Sequence, residues 1–82
     1  MNVLDFFKLN FPKSRLLVNL NILEEMPLDS ECGRVCAAAI SQAAALDKLI
    51  LEAHGDYYKD YTHQTYGIAS VAASLCVLYI RG

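Results

Sequence analysis

Apolar residues recur along this chain in two registers of alternating fours and threes, one on each side of the Gly55-Asp56 pair. Before the pair, Cys32, Cys36, Ala39, Ala43, Leu46, Ile50 and Ala53 keep this spacing without a slip. After it, Tyr58, Tyr61, Thr65, Ile68, Ala72, Leu75 and Tyr79 do the same. Each stripe is the seam of a coiled-coil-like helix. Pro27-Leu28-Asp29-Ser30-Glu31 marks a helix start, with an Asp or Ser cap and an acid in the first turn. An alanine-rich stretch of high helix propensity follows, interrupted only by Gly33. Gly55 suits the left-handed position that ends a helix, and Asp56 can cap the next one, whose weak point is Gly67. The pattern predicts an antiparallel helical hairpin over about 29–54 and 57–81. So tight a turn brings the stripes into one register, with Cys32 opposite Tyr79, Cys36 opposite Leu75, Ala43 opposite Ile68 and Ala53 opposite Tyr58. Small residues then face large ones, as interdigitated packing asks.

Upstream, residues 2–10 read as a short helix with Asn2 as N-cap and Asp5 favourable in the first turn. Its apolar residues Val3, Leu4, Phe6 and Phe7, together with Phe11, need a surface to dock on. Ser14 can cap a second segment, Arg15–Met26, in which Leu16, Leu20 and Leu23 recur at helical spacing. A strand competes there, because Leu16, Val18, Leu20 and Ile22 alternate with other residues, but no partner strand is evident and helix is the reading adopted. The expected fold class is therefore all-α. Residues 1–82 form one helical domain, in which 1–27 is a covering segment of one or two short helices and 28–82 the hairpin.

The seam does not exhaust the apolar surface. Ala37, Ile40, Ala44 and Leu51 flank it on one side of the first long helix and Val35 and Leu49 on the other, leaving only the row Arg34, Ser41, Lys48 to face solvent. Val71, Val77, Leu78 and Ile80 lie outside the seam of the second. A helix apolar nearly all round is buried on several sides. The first 28 residues can cover one face of the hairpin, and a second copy is expected to cover the other, giving a dimeric four-helix-type bundle. Cys36, Ala39, Ile40, Ala43, Leu46, Ile50, Leu51, Ile68, Val71, Ala72, Leu75 and Leu78 are the expected core or dimer contacts.

Composition agrees with this surplus. Of the 82 residues, 55% are hydrophobic and 20% charged, against about 45–50% and about 25% in an ordinary soluble domain. That excludes intrinsic disorder, which needs low hydrophobicity and high charge. The net charge is −2 and the basic residues are scattered, so nucleic acid is not an expected partner. The apolar runs Val35–Leu46 and Ile68–Ile80 fall short of the roughly 20 residues that cross a bilayer. A membrane-inserted hairpin is thus a secondary alternative, and Asp5 argues against a secretory signal. Three cysteines, an odd number, argue against a complete disulfide framework and for a reducing, cytoplasmic setting.

Candidate chemistry is sparse. Asp56, Asp60 and His63 share one helical face near His54, and carboxylate with imidazole can ligate zinc or act as an acid–base pair. A small metal-dependent enzyme is therefore the first alternative. However, neither an H-E-x-x-H motif nor a second ligand-bearing helix accompanies the cluster, and acids at a helix start stabilise its dipole without any ligand. No catalytic residue, metal or cofactor is expected. Four of the five tyrosines fall between Tyr57 and Tyr66. Tyrosine offers rigid apolar area with a polar tip, which suits interfaces, so Tyr57, Tyr61, His63 and Tyr66 are the expected partner-binding residues. Gly67, Ser70 and Ser74 line one face, open to a tight dimer contact, a membrane or solvent. The layout resembles that of small dimeric regulators that sequester a larger protein. The expected function is that of a non-enzymatic homodimer acting in protein–protein interaction or regulation.

Overall fold

The computed structural model describes residues 1–12, 21–54 and 62–82, the side chains of His54 and of residues 62–66 excepted. Among the described residues the chain forms four helices, α1 (Val3–Asn10), α2 (Asn21–Glu25), α3 (Glu31–His54) and α4 (Thr62–Arg81), and no strand. The fold is all-α. Residues 13–20, which hold half of the disputed second segment, and the turn at Gly55-Asp56 lie outside the described residues. The part of that segment that is described, α2, is helical.

Local chemistry sets the helix starts. The Asn2 side-chain oxygen accepts the Asp5 backbone N–H at 2.8 Å, capping α1 as its position suggests. Of the two candidate caps for α3, Ser30 takes the role: its Oγ accepts the Gly33 N–H at 2.9 Å and donates to the Pro27 carbonyl at 2.7 Å. One hydroxyl thus satisfies an orphan helix donor and fixes the preceding turn. The first residues are tied to the same turn, since Val3 N–H donates to the Met26 carbonyl at 3.0 Å and Leu28 N–H to the Met1 carbonyl at 3.1 Å. Asn2 and Pro27 form the resulting isolated bridge.

α3 and α4 pack antiparallel. Cys36, near the start of α3, lies against Cys76, near the end of α4. Further along, Ala43 and Leu46 share a groove with Gly67 and Ile68. α1 packs on α3 and α2 on α4, where Val3, Leu4, Phe7, Phe11 and Leu23 join Cys36, Ile40, Ala69, Ala72, Ala73 and Cys76 in one buried core. The Phe7 and Phe11 rings stand 5.2 Å apart within it.

The buried arcs are rotated from the expected seam. On α4 the fully buried positions are Ala69, Ala72, Ala73 and Cys76, whereas Leu75 and Tyr79 are about half exposed. On α3, Cys36 and Ile40 are buried and Leu46 is exposed. The physical reason is the covering segment. It packs apolar side chains onto one side of the helix pair, so the arcs it touches become the core and the opposite flank of the seam turns outward. The row Arg34, Ser41, Lys48 is exposed, as its polarity requires.

Candidate functional site: an open apolar groove

Between α3 and α4 lies a groove of about 220 Å³. It is lined by Ala39, Ala43 and Leu46 of α3 and by Gly67, Ile68, Val71, Ala72 and Leu75 of α4. Its floor is small because Ala39, Ala43 and Ala72 have no side chain beyond Cβ. Its walls are tall because Leu46, Val71 and Leu75 stand beside them. A second cleft of about 200 Å³, lined by Val35, Cys36, Ala39, Leu75, Cys76 and Tyr79, continues it toward the start of α3.

Helical geometry explains the continuity. At 100° per residue, positions 35, 39, 42, 46, 49 and 53 of α3 share one flank, and so do 68, 71, 75, 78 and 79 of α4. None of these eleven positions carries a charge. Val35, Leu46, Leu49, Val71, Leu75, Leu78 and Tyr79 expose 41 to 66% of their surface; among the described residues the other exposed large apolar side chains are Met1 and Leu9. Singly scattered apolar residues on a surface need no explanation, but these gather on two adjacent helices without a charge among them.

The expected contact residues divide accordingly. Cys36, Ile40 and Ala72 are buried in the chain's own core, and Ala39, Ala43, Ile50, Leu51 and Ile68 are half-buried. Leu46, Val71, Leu75 and Leu78 are exposed, so they are not part of this chain's core. Gly67 is exposed at the groove's end, Ser74 is exposed and Ser70 half-buried. Of the expected partner-binding residues, Tyr57 and Tyr61 lie outside the described residues, as do the side chains of His63 and Tyr66. The Asp56, Asp60 and His63 face with His54 lies outside them too. Among the described residues, no group of three His, Cys, Asp or Glu side chains is placed to hold a metal ion. No helix there is long and apolar enough to cross a membrane.

Two features escaped the sequence reading. Gly33, read from the sequence as the one interruption in α3, is a close approach: a Cβ there would overlap the Pro27 carbonyl oxygen. Asp47 is buried on the inner arc of α3, 8% exposed. An acid one turn after Ala43 signals nothing by itself, because only the rotation of the helix decides which side it faces.

The three free thiols occupy different environments: Cys32 is half-buried, Cys36 and Cys76 are buried. Burial foremost, then the neighbouring Cys76 and Cys32 thiols, pushes the Cys36 thiol up from 9.0 to about 12. Burial likewise pushes Cys76 up. A thiol so disfavoured as thiolate is a poor nucleophile at neutral pH.

No family model, curated protein or solved structure matches the chain.

Proposed function

We propose that the chain works as a non-enzymatic homodimer in which the open grooves of two copies close on each other, and that the dimer acts in protein–protein interaction or regulation. The charge-free apolar groove between α3 and α4 carries this reading. A second copy fits because the face is nearly self-complementary: Leu75 and Val71 are ridges of a size that the alanine floor of a partner groove can receive. In a two-fold pair each copy supplies both.

The magnitudes support a weak, concentration-dependent pair. Full burial of a Leu or Val side chain is worth roughly 1.5–3 kcal/mol, so seven side chains at about half exposure retain roughly 1 kcal/mol each. Two copies together hold about 14 kcal/mol. Association costs an estimated 4–15 kcal/mol, which leaves room for a dimer of micromolar affinity. At about 25 cal/mol per Å², the same energy corresponds to roughly 560 Å² of apolar surface across the pair. An interface about 65% apolar would then total roughly 860 Å², the size of a weak contact that forms and dissociates with concentration.

The tyrosine-rich segment Tyr57–Tyr66 is the surface proposed for a larger partner, because tyrosine offers rigid apolar area with a polar tip. The three free thiols support a reducing, cytoplasmic setting. The test is a charge in the groove. Leu75→Glu places a carboxylate on the partner's alanine floor and should lower the dimer affinity at least a hundredfold, with helix content by circular dichroism unchanged. A Leu75→Glu chain that pairs as tightly as the wild type would remove the groove from the interface.

A further inference from the structure

We infer that Cys36 and Cys76 are a disulfide-forming pair that cross-links α3 to α4 when the chain meets a low-molecular-weight disulfide such as glutathione disulfide. Both cysteines lie in one chain, but the cleft that leads to them borders the groove of the proposed dimer, so the inference is made for the single chain. It rests on a reciprocal contact: the Cys36 sulfur lies 4.0 Å from the Cys76 carbonyl oxygen, and the Cys76 sulfur 3.7 Å from the Cys36 carbonyl oxygen. Each sulfur reaches the other residue's backbone, so both side chains occupy the same space between the helices.

The surroundings allow the backbones to be close. Ala72 and Ala73 share the buried core with the two thiols, and Ala39 lines their cleft, so several of the residues around them are small. Helices packed 8–10 Å apart, with Cα atoms about 2.3 Å from each axis, bring directly facing Cα atoms to roughly 3.5–5.5 Å. A disulfide spans roughly 4.4–6.8 Å between Cα atoms. Both thiols are 1% exposed, yet both line the cleft that opens between Val35, Ala39, Leu75 and Tyr79 on the groove side. An oxidant therefore has a path that does not require α1 or α2 to leave.

The chemistry is two successive exchanges. The Cys36 thiolate attacks one sulfur of glutathione disulfide, whose S–S bond breaks and releases one glutathione thiolate. The Cys76 thiolate then attacks the Cys36 sulfur, forming the Cys36–Cys76 bond and expelling the second glutathione thiolate. The two cysteines lose two electrons and two protons; the glutathione disulfide gains both and leaves as two thiols. Because burial raises both thiols, the reaction is slow at neutral pH and quickens as pH rises.

The chain suits its own test. Cleavage after Lys and Arg separates the cysteines into Leu16–Arg34 with Cys32, Val35–Lys48 with Cys36, and Asp60–Arg81 with Cys76. The reduced, folded chain is incubated with glutathione disulfide at a concentration too low for pairing, free thiols are blocked, and the tryptic peptides are mapped without reduction. The expected result is Val35–Lys48 joined to Asp60–Arg81, with Cys32→Ala leaving that link intact. In urea the expected link is Cys32–Cys36, since closing a loop of about 4 residues costs less entropy than one of about 40. The cross-linked folded chain should also unfold at least several degrees higher than the reduced one. A folded chain that yields Cys32–Cys36, Cys32–Cys76, a link between two copies or no link at all overturns the assignment, as does a linked chain that melts below the reduced one.

Discussion

Replacing Gly33 by alanine sets two effects of opposite sign against each other, and their magnitudes decide the outcome. Gly33 lies in the first turn of α3, and in an unobstructed helix glycine to alanine gains about 0.8–1 kcal/mol of propensity. Here the added Cβ would overlap the Pro27 carbonyl oxygen and stand 2.9 Å from the Leu28 carbonyl oxygen. All the obstructing atoms are backbone, so no side chain can swing away. The 26–28 turn would have to retreat. That turn holds the Val3–Met26 and Leu28–Met1 backbone bonds at 3.0 and 3.1 Å and the Ser30–Pro27 bond at 2.7 Å. Losing two of these costs about 1 kcal/mol each, and overpacking adds about 1–3 kcal/mol. After subtracting the propensity gain, the net destabilisation is about 2–4 kcal/mol. A chain of this length holds roughly 4–12 kcal/mol in total, so a urea titration followed by circular dichroism should show a much lower midpoint. The melting temperature should fall by on the order of 10–25 °C. Gly67→Ala is the control: nothing lies within 4 Å of its Cβ position. Measured at concentrations too low for pairing, it should raise stability by up to about 1 kcal/mol. A Gly33→Ala chain as stable as the wild type would show that α3 does not need this close approach and that the turn is not the anchor of the fold.

Other outcomes follow from the core and caps. Ile40 is fully buried between α3 and its neighbours, so Ile40→Ala should cost about 2–5 kcal/mol in the same titration. Phe7→Ala, which removes one ring of the Phe7–Phe11 pair, should cost about 3–5 kcal/mol and expose α1 to limited proteolysis. Ser30→Ala removes the α3 cap and should cost about 0.5–2 kcal/mol. With Cys36 near 12 in the folded chain and 9.0 as its ordinary value, the unfolded chain binds fewer protons above pH 9. Stability from this thiol is therefore complete below pH 9 and is lost progressively toward pH 12. In reducing buffer the urea midpoint should decline from pH 9 to 10.5 and decline less in Cys36→Ala; a flat profile in both would contradict the buried placement.

How much of this was legible in the sequence differs by level. Helix starts were, because capping is local: Asn2 and Ser30 sit immediately before apolar-periodic runs and can do little else as usefully. The need for a covering segment was also legible, since Val3, Leu4 and Phe7 are too apolar for a free end. Helix rotation was not. With apolar residues on several sides of both long helices, the 4-3 stripe through Leu46, Leu75 and Tyr79 and the arc through Ile40, Ala69 and Ala73 are equally good seams by periodicity. Only the docking of α1 and α2 chooses between them. That choice leaves the larger side chains outside, and it is the origin of the groove. The role of Gly33 was hidden for a related reason, because the obstacle is a carbonyl six residues earlier, brought near by a turn rather than by helical spacing.

The central claim is that this groove is closed by a second copy. Light scattering on a size-exclusion column, run over a hundredfold range of protein concentration without detergent, tests it most directly. The account predicts a mass near twice 9.1 kDa at the upper concentrations, dissociating on dilution and reverting to the single-chain value in Leu75→Glu. A folded chain that holds 9.1 kDa throughout the range would contradict it.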